Sequence, residues 1–266
     1  MRPGIAYFFA ALIGFGAAQA ASAADLPLKA PATVTAPYNT APYNWSGLYV
    51  GGNIGYGWGR NSDPDTATSA PAGFLALIPE LGGGAPNVQP KGLIGGGQIG
   101  YNWMISPNLV AGLVADFQGS GLKDSATNTT PVVMIPGETV SKSNSAQIEW
   151  FGTARAKLGW AQNNWLLYAT GGLAYGRVET SGSANLGGLL TLSSTGSDST
   201  TKIGWAAGAG LDYGITRNWT IGAEYLYVDL GDTSYTASAP APLGLSLTTT
   251  NHIAAQIARM TVNYKF

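Results

Sequence analysis

The chain contains no cysteine and a single histidine. The first absence excludes disulfide staples, thiolate metal sites and Cys nucleophiles. The second leaves His252 as the one candidate for any histidine-dependent chemistry. Charge is scarce as well: Asp, Glu, Lys and Arg make up 10% of the residues, against about 25% in ordinary soluble domains. Too little charge is present to cover a normal water-facing surface. Long apolar runs are also missing. Beyond the first 23 residues, no window offers the roughly 20 consecutive apolar residues of a membrane helix.

What is abundant is glycine, with 38 residues, and aromatics, at 11%. The N-terminus has its own pattern: Arg2, an apolar run over residues 5–18, then Ala21, Ser22 and Ala23. These are the basic region, apolar region and small-residue cleavage site of a secretory signal peptide, so residues 1–23 are expected to be removed after Ala23 on export. Removal takes Arg2 from the 13 bases that face 14 acids. Such near balance gives no reason to expect nucleic acid as a partner. Residues 24–44, rich in Pro and Ala, show neither period 2 nor period 3.6 and read as a flexible periplasmic leader.

From Trp45 the pattern changes. "WSGLYVGGNIGYGW" sets Leu48, Val50, Ile54, Tyr56 and Trp58 against Tyr49, Gly51, Asn53, Gly55 and Gly57, a strand with one apolar side and one small or polar side. Residues 92–104, 109–119, 147–160, 165–179, 202–215, 219–230 and 253–266 repeat the form. Each is long enough to cross a bilayer as a tilted strand of about 9–11 residues. The connections alternate too. Three are tight (105–108, 161–164, 216–218), and four are long and rich in Ser, Thr, Gly, Pro and Ala (59–91, 120–146, 180–201, 231–252). Short turns on one side and long loops on the other define an all-β fold, an eight-stranded antiparallel transmembrane barrel over residues 45–266, with periplasmic turns and extracellular loops.

All eight Trp residues fall near strand ends. Followed up and down the barrel, Trp103, Trp160, Trp165 and Trp219, with Tyr213, Tyr264 and Phe266, come out at the periplasmic rim. Trp58, Trp150 and Trp205, with Tyr56, Tyr175, Tyr225 and Tyr227, come out at the outer rim. Two aromatic girdles are the mark of a barrel meeting lipid headgroups on both sides. On the closing strand Met260, Val262, Tyr264 and Phe266 share the lipid-facing side. Lipid cannot satisfy an open edge, so this strand must pair with the first.

The opposite faces carry Asp116, Glu149, Arg155, Lys157, Lys202, Asp212, Glu224 and Arg259. An eight-stranded barrel is just wide enough inside for side chains to fill, so these charges predict a packed polar core, with a gated ion path as the alternative. Depth counting predicts two tiers. Asp116, Glu149 and Lys202 fall toward the outer end, while Arg155, Glu224 and Arg259 fall near mid-depth above Lys157 and Asp212. Glu224 and Arg259 are expected to form a direct ion pair, with Arg155 sharing the carboxylate.

Two motifs point elsewhere. "GGGQIG" at residues 95–100 satisfies the dinucleotide fingerprint, but that fingerprint needs a helix to begin within it, and here the strand alternation continues through Trp103. The glycines read as places where the wall bends. His252 lies beside a loop rich in Thr and Ser, the residue types a lipid-modifying outer-membrane enzyme would use at its outer rim. No base-orienting carboxylate stands near it in sequence, and no His or carboxylate cluster has metal-ligand spacing. No cofactor and no enzymatic activity are expected.

The stretches "NWSGLYVGGNIGYGWG", "EWFGTARAKLGWA", "LLYATGGLAYGRV", "NWTIGAEYLYVDLG" and the closing "NYKF" resemble the small outer-membrane proteins of alphaproteobacteria, the RopB-type immunogenic porin-like family within the OmpA-like eight-stranded barrels. The resemblance implies an abundant protein of the cell outer membrane that supports envelope integrity and contacts hosts. Its implied partners are outer-membrane lipid and lipopolysaccharide, surface ligands of a host, and the assembly machinery, which would read Tyr264 and the terminal Phe266. A narrow channel for small solutes is the alternative function, and a lipid-modifying enzyme a further one.

Overall fold

The structure is a computed structural model, and it describes residues 43–60, 65–69, 78–188, 192–238 and 246–266. The expected signal peptide and all of the leader but Tyr43 and Asn44 lie outside the described residues. Among the described residues nine strands run in chain order: β1 (Gly47–Arg60), β2 (Asp65–Ser69), β3 (Lys91–Ser106), β4 (Leu109–Pro131), β5 (Thr139–Gln162), β6 (Trp165–Gly187), β7 (Leu192–Gly214), β8 (Trp219–Ser238) and β9 (Ser246–Lys265). All neighbours are antiparallel, and β1 pairs with both β3 and β9. On the side of the tight turns eight strands therefore close into a barrel with no free edge, while farther out β4 beyond Lys123 pairs with β5 alone and β7 between Thr195 and Trp205 has no β8 partner. The short β2 adds a second pairing to the far part of β9, from Asp65↔Thr250 to Ser69↔Ser246.

Three of the four long connections (120–146, 180–201 and 231–252) are strand for most of their length, while 59–91 holds, among the described residues, only the short β2 and a 3-10 turn between the ends of β1 and β3. Strands β4 to β7 have 23 or 24 residues each, where periodicity assigns 11 to 15. At about 3.4 Å per residue and a tilt near 40°, such strands rise about 60 Å, more than twice the apolar band of about 25 Å. The expected strand ends were too early for a physical reason. Beyond the lipid the outer face becomes Ser and Thr, as in Thr127, Thr129, Ser141 and Ser143, whose hydroxyls bond one another across β4 and β5. Polar alternation of that kind has no apolar side to count, yet β-branched Thr pairs suit a pleated ladder.

The lower part of every barrel strand has a lipid-type exterior. Ile54, Leu93, Ile99, Leu113, Leu158, Leu167, Leu173, Ile203, Leu211, Met260 and Val262 are exposed. Two belts of rings bound this band. Near the tight turns, Trp165 packs on Tyr213, Trp219 on Tyr264, and Tyr264 on Phe266, with ring centroids 4.6, 5.1 and 5.3 Å apart. At the other margin lie Tyr56, Trp58 and Tyr225 in sequence, Phe117, Trp150 and Tyr175, and the pair Trp205 and Tyr227.

Trp45 belongs to neither belt. It is 2% exposed and packs with Tyr43 against Val110, Ala161, Leu166 and Tyr168 inside the turn end of the barrel. The last residues of the expected leader therefore fold inward. Aromatic area of this size is removed from water only by entering the lumen there.

Candidate functional site

The lumen is filled in layers, and each layer follows from which residues alternate inward. At the turn end Tyr43 and Trp45 close the mouth, with Lys265 Nζ donating to the Asn44 carbonyl and lying 4.7 Å from the centre of the Tyr43 ring. Above them Lys157 Nζ sits 2.9 Å from Asp212 Oδ2 and 3.7 Å from the centre of the Tyr168 ring. Both charges are buried, so each satisfies the other, and the ring face offers the ammonium a further attraction.

The next layer is a four-charge cluster. Glu224 of β8 and Arg259 of β9 are direct register partners, and Arg259 Nη2 lies 2.5 Å from Glu224 Oε2. Arg155 of β5 reaches across the lumen to Glu224 Oε1 at 2.6 Å and to Asp116 Oδ2 at 2.8 Å. Arg259 Nη2 also contacts Asp116 Oδ2 at 3.0 Å. Thr153 accepts from Arg155 Nε and donates to Asp116. Two guanidiniums and two carboxylates thus form a neutral, nearly water-free ring in which planar forks meet carboxylates.

Three of the expected interior charges are placed differently. Asp116 is not in an outer tier; it joins the central cluster because strand stagger around the barrel brings its level to that of Arg155 and Arg259. Glu149 is not inside at all. The β5 ladder shifts register between Ile148 and Trp150, and the extra residue of this bulge puts Glu149 on the outer face, paired with Arg177 at 3.1 Å. One added residue inverts a period of two. Lys202 keeps its inward parity but is partly exposed, and it has no ion-pair partner among the described residues. It lies where β7 is not paired with β8, between Thr195 and Trp205.

Sequence reasoning missed the two layers above the cluster. Ile94, Leu122, Ile148, Phe151, Val178, Leu226, Leu230, Ile253 and Ile257 form an apolar disc inside the barrel. Short runs such as "YLYVDL" are apolar on both faces, which was the available signal. Nearer the hairpin tips, residues 78–83 fold into the lumen. A 3-10 turn, Pro79–Gly82, carries Leu81, which packs with Ile78 on Val132, Val140, Ala184, Leu186 and Leu247. Lys142 Nζ donates to the Leu81 carbonyl at 2.8 Å and also to that of Gly83. Asn144 Nδ2 donates to the Pro86 carbonyl at 3.0 Å. Burial lowers the pKa of Lys142, and the carbonyls are what its ammonium gains in exchange.

His252 stands on the outer face beyond the second aromatic belt. Its Nδ1 is 2.8 Å from Asp232 Oδ1 and its Nε2 is 3.3 Å from Asp229 Oδ2. A second bulge, at Gly231 with φ +74°, turns both aspartates to the same face. The hydrogen bond to Asp232 is the main cause of a raised His252 pKa, with the Asp229 charge adding to it. With both ring nitrogens held by carboxylates, neither is left for a serine hydroxyl. Among the described residues no group of three or more His, Asp or Glu could hold a metal ion.

The glycine motif is structural. Gly96 faces the Phe117 carbonyl so closely that an added Cβ would sit 2.1 Å from that oxygen, and at Gly100 the Tyr49 ring occupies the space, 2.4 Å away. Strand β3 runs unbroken through both.

A β-barrel closed across a lipid-type band, with two aromatic belts, no strand edge within that band and a charge-paired interior, is an integral protein of an outer membrane. Comparison with known proteins agrees. Residues 8–266 match the family model for the outer membrane protein beta-barrel domain, and the chain belongs to that family. The 31 kDa outer-membrane immunogenic protein of Brucella melitensis is 39% identical over 80% of this chain and 82% of its own length. The 25 kDa outer-membrane immunogenic protein of Brucella abortus is 27% identical over 97% and 95%. Among solved structures, outer membrane protein OprG from Pseudomonas aeruginosa aligns over 84% of this chain and 98% of that one, at 12% identity and a TM-score of 0.42.

Proposed function

We propose that this protein is a closed, non-enzymatic barrel that supports envelope integrity and presents its extended hairpins as a contact surface outside the cell. The observation that carries the reading is the filled lumen. Tyr43 and Trp45 at one mouth, the Asp116, Arg155, Glu224 and Arg259 ring, the apolar disc, and the Ile78 and Leu81 plug stand in series along one axis. A conducting path would need each layer to open, and the apolar disc adds a barrier that ions do not cross without water. This favours structural support over the narrow channel. The engagement of both His252 nitrogens disfavours the lipid-modifying enzyme.

Lipopolysaccharide in the outer leaflet is the partner suited to the outer aromatic belt, and host surface ligands would meet the Ser- and Thr-rich hairpins. Relatives named as immunogenic outer-membrane proteins agree with such presentation. The assembly machinery would read Tyr264 and Phe266 at the exposed end of β9. The test is conductance of the refolded full-length protein in a planar bilayer, together with detergent sensitivity of cells lacking it. Silence in the first and sensitisation in the second are expected. Stepwise openings from the unaltered protein would overturn the closed-barrel reading.

A further inference from the structure

The outer face of the barrel carries an unpaired cation couple at the level of the upper aromatic belt. Lys91 of β3 and Lys123 of β4 are direct register partners, and both are exposed. Alternation places them outside: Leu93, two residues below Lys91, is exposed to the lipid band, while Ile94 and Leu122 are buried in the lumen. The ladders extend the row to either side, with Trp58 of β1 opposite Lys91 and Gln147 of β5 opposite Lys123. The row therefore reads aromatic, cation, cation, amide across four neighbouring strands.

Like charges directly opposite one another on a sheet destabilise it, because their Cβ atoms are only about 5 Å apart. Arg177 on the outer face has Glu149, and Lys157 in the lumen has Asp212, whereas Lys202 stands alone among the described residues and not opposite a second cation. Among the described residues neither Lys91 nor Lys123 has a carboxylate at ion-pair distance. The adjacent acid, Asp124, accepts from the backbone N–H of Gln89 at 2.8 Å and sits on the alternate face. The Trp58 indole N–H is already given to Gln256 Oε1 at 3.0 Å, so Trp58 presents ring surface and not a donor to whatever lies beside Lys91.

We infer that Lys91 and Lys123 form a binding site for a lipid A phosphate in the outer leaflet, with Trp58 and Leu93 against its acyl region and Gln147 at its flank. The inference rests on the proposal that lipopolysaccharide is the partner of the outer belt. A phosphate between the two ammoniums converts their repulsion into charge-assisted hydrogen bonds. The lipid-facing residues just below supply the depth that distinguishes a lipid phosphate from a soluble anion.

The experiment uses refolded full-length protein in neutral detergent micelles, titrated with lipid A, with chemically dephosphorylated lipid A, and with inorganic phosphate, and read by native mass spectrometry and Trp fluorescence. Each surface lysine near an anionic headgroup changes binding roughly fivefold, so K91Q and K123Q should each weaken lipid A binding by about that factor. The double variant should weaken it roughly thirtyfold. R177Q, on the outer face but already paired, should leave it unchanged. Dephosphorylated lipid A should bind the unaltered protein as weakly as lipid A binds the double variant, an arm that needs no variant to fold. Equal binding of the two lipids, or a double variant that binds as the parent does, would overturn the inference, and competition by millimolar inorganic phosphate would reassign the pair as a general anion site. Conductance silence is unaffected by any of these outcomes, so the closed-barrel reading stands or falls separately.

Discussion

Replacing Glu224 by Gln removes one negative charge from the centre of the barrel while keeping its shape. In the parent, this carboxylate meets Arg155 Nη1 at 2.6 Å, Arg259 Nη2 at 2.5 Å and Arg259 Nε at 2.7 Å. After E224Q, two guanidiniums share Asp116 alone, and the new amide N–H₂ points at a donor. The ring changes from neutral to a net charge of about +1, buried among groups that are nearly inaccessible to water. Leaving a buried charge uncompensated typically costs about 3–5 kcal/mol. The paired control is E149Q, which breaks the Arg177 pair on the outer face, where side chains are 48% and 37% exposed. An exposed pair contributes about 0–1 kcal/mol. Urea unfolding in lipid vesicles, followed by Trp fluorescence, should separate the two variants by at least about 2 kcal/mol. Adding R259M to E224Q restores neutrality around Arg155 and Asp116 and should recover part of the loss. If E224Q and E149Q unfold at the same urea concentration, the cluster does not carry the load assigned to it.

Three further outcomes are expected. G96A should destabilise the barrel by about 1–3 kcal/mol, as overpacking does, because its Cβ meets backbone and not a movable side chain; dinucleotide affinity in dye-binding assays should be absent before and after. F266D should lower outer-membrane insertion, measured by surface labelling, because it places a charge at the lipid rim; normal surface levels would count against the assembly role of Phe266. For His252, the folded pKa is raised above the unfolded value, so its contribution is fully present below about pH 6.5 and fades as pH climbs through the raised folded value. The site is exposed and screened, so H252Q should show a small loss of hairpin protection in hydrogen exchange at acidic pH that disappears under alkaline conditions.

Strand count, closure and the two lipid belts were legible because each depends on a local period. Alternation along "RMTVNYKF" or "NWTIGAEYLYV" survives in the structure residue for residue, with Met260 and Val262 outside and Arg259 and Glu224 inside. The pairing of Glu224 with Arg259 followed from depth counted over a few residues from the nearest turn. Glu149 and the Asp229, Asp232 and His252 group were not legible, because one bulge residue in each ladder reverses every side chain beyond it, and nothing local announces where that residue falls. Asp116 was misplaced because its level relative to Arg155 and Arg259 depends on stagger summed around the ring. The lumen plug of Ile78 and Leu81, the inward turn of Tyr43 and Trp45, and the pairing of Ser- and Thr-rich segments into long hairpins depend on what the closed barrel leaves empty. Periodicity determined which residues could face lipid; only the assembled barrel decided which side chains meet across its interior, because that space exists only once eight strands have closed around it.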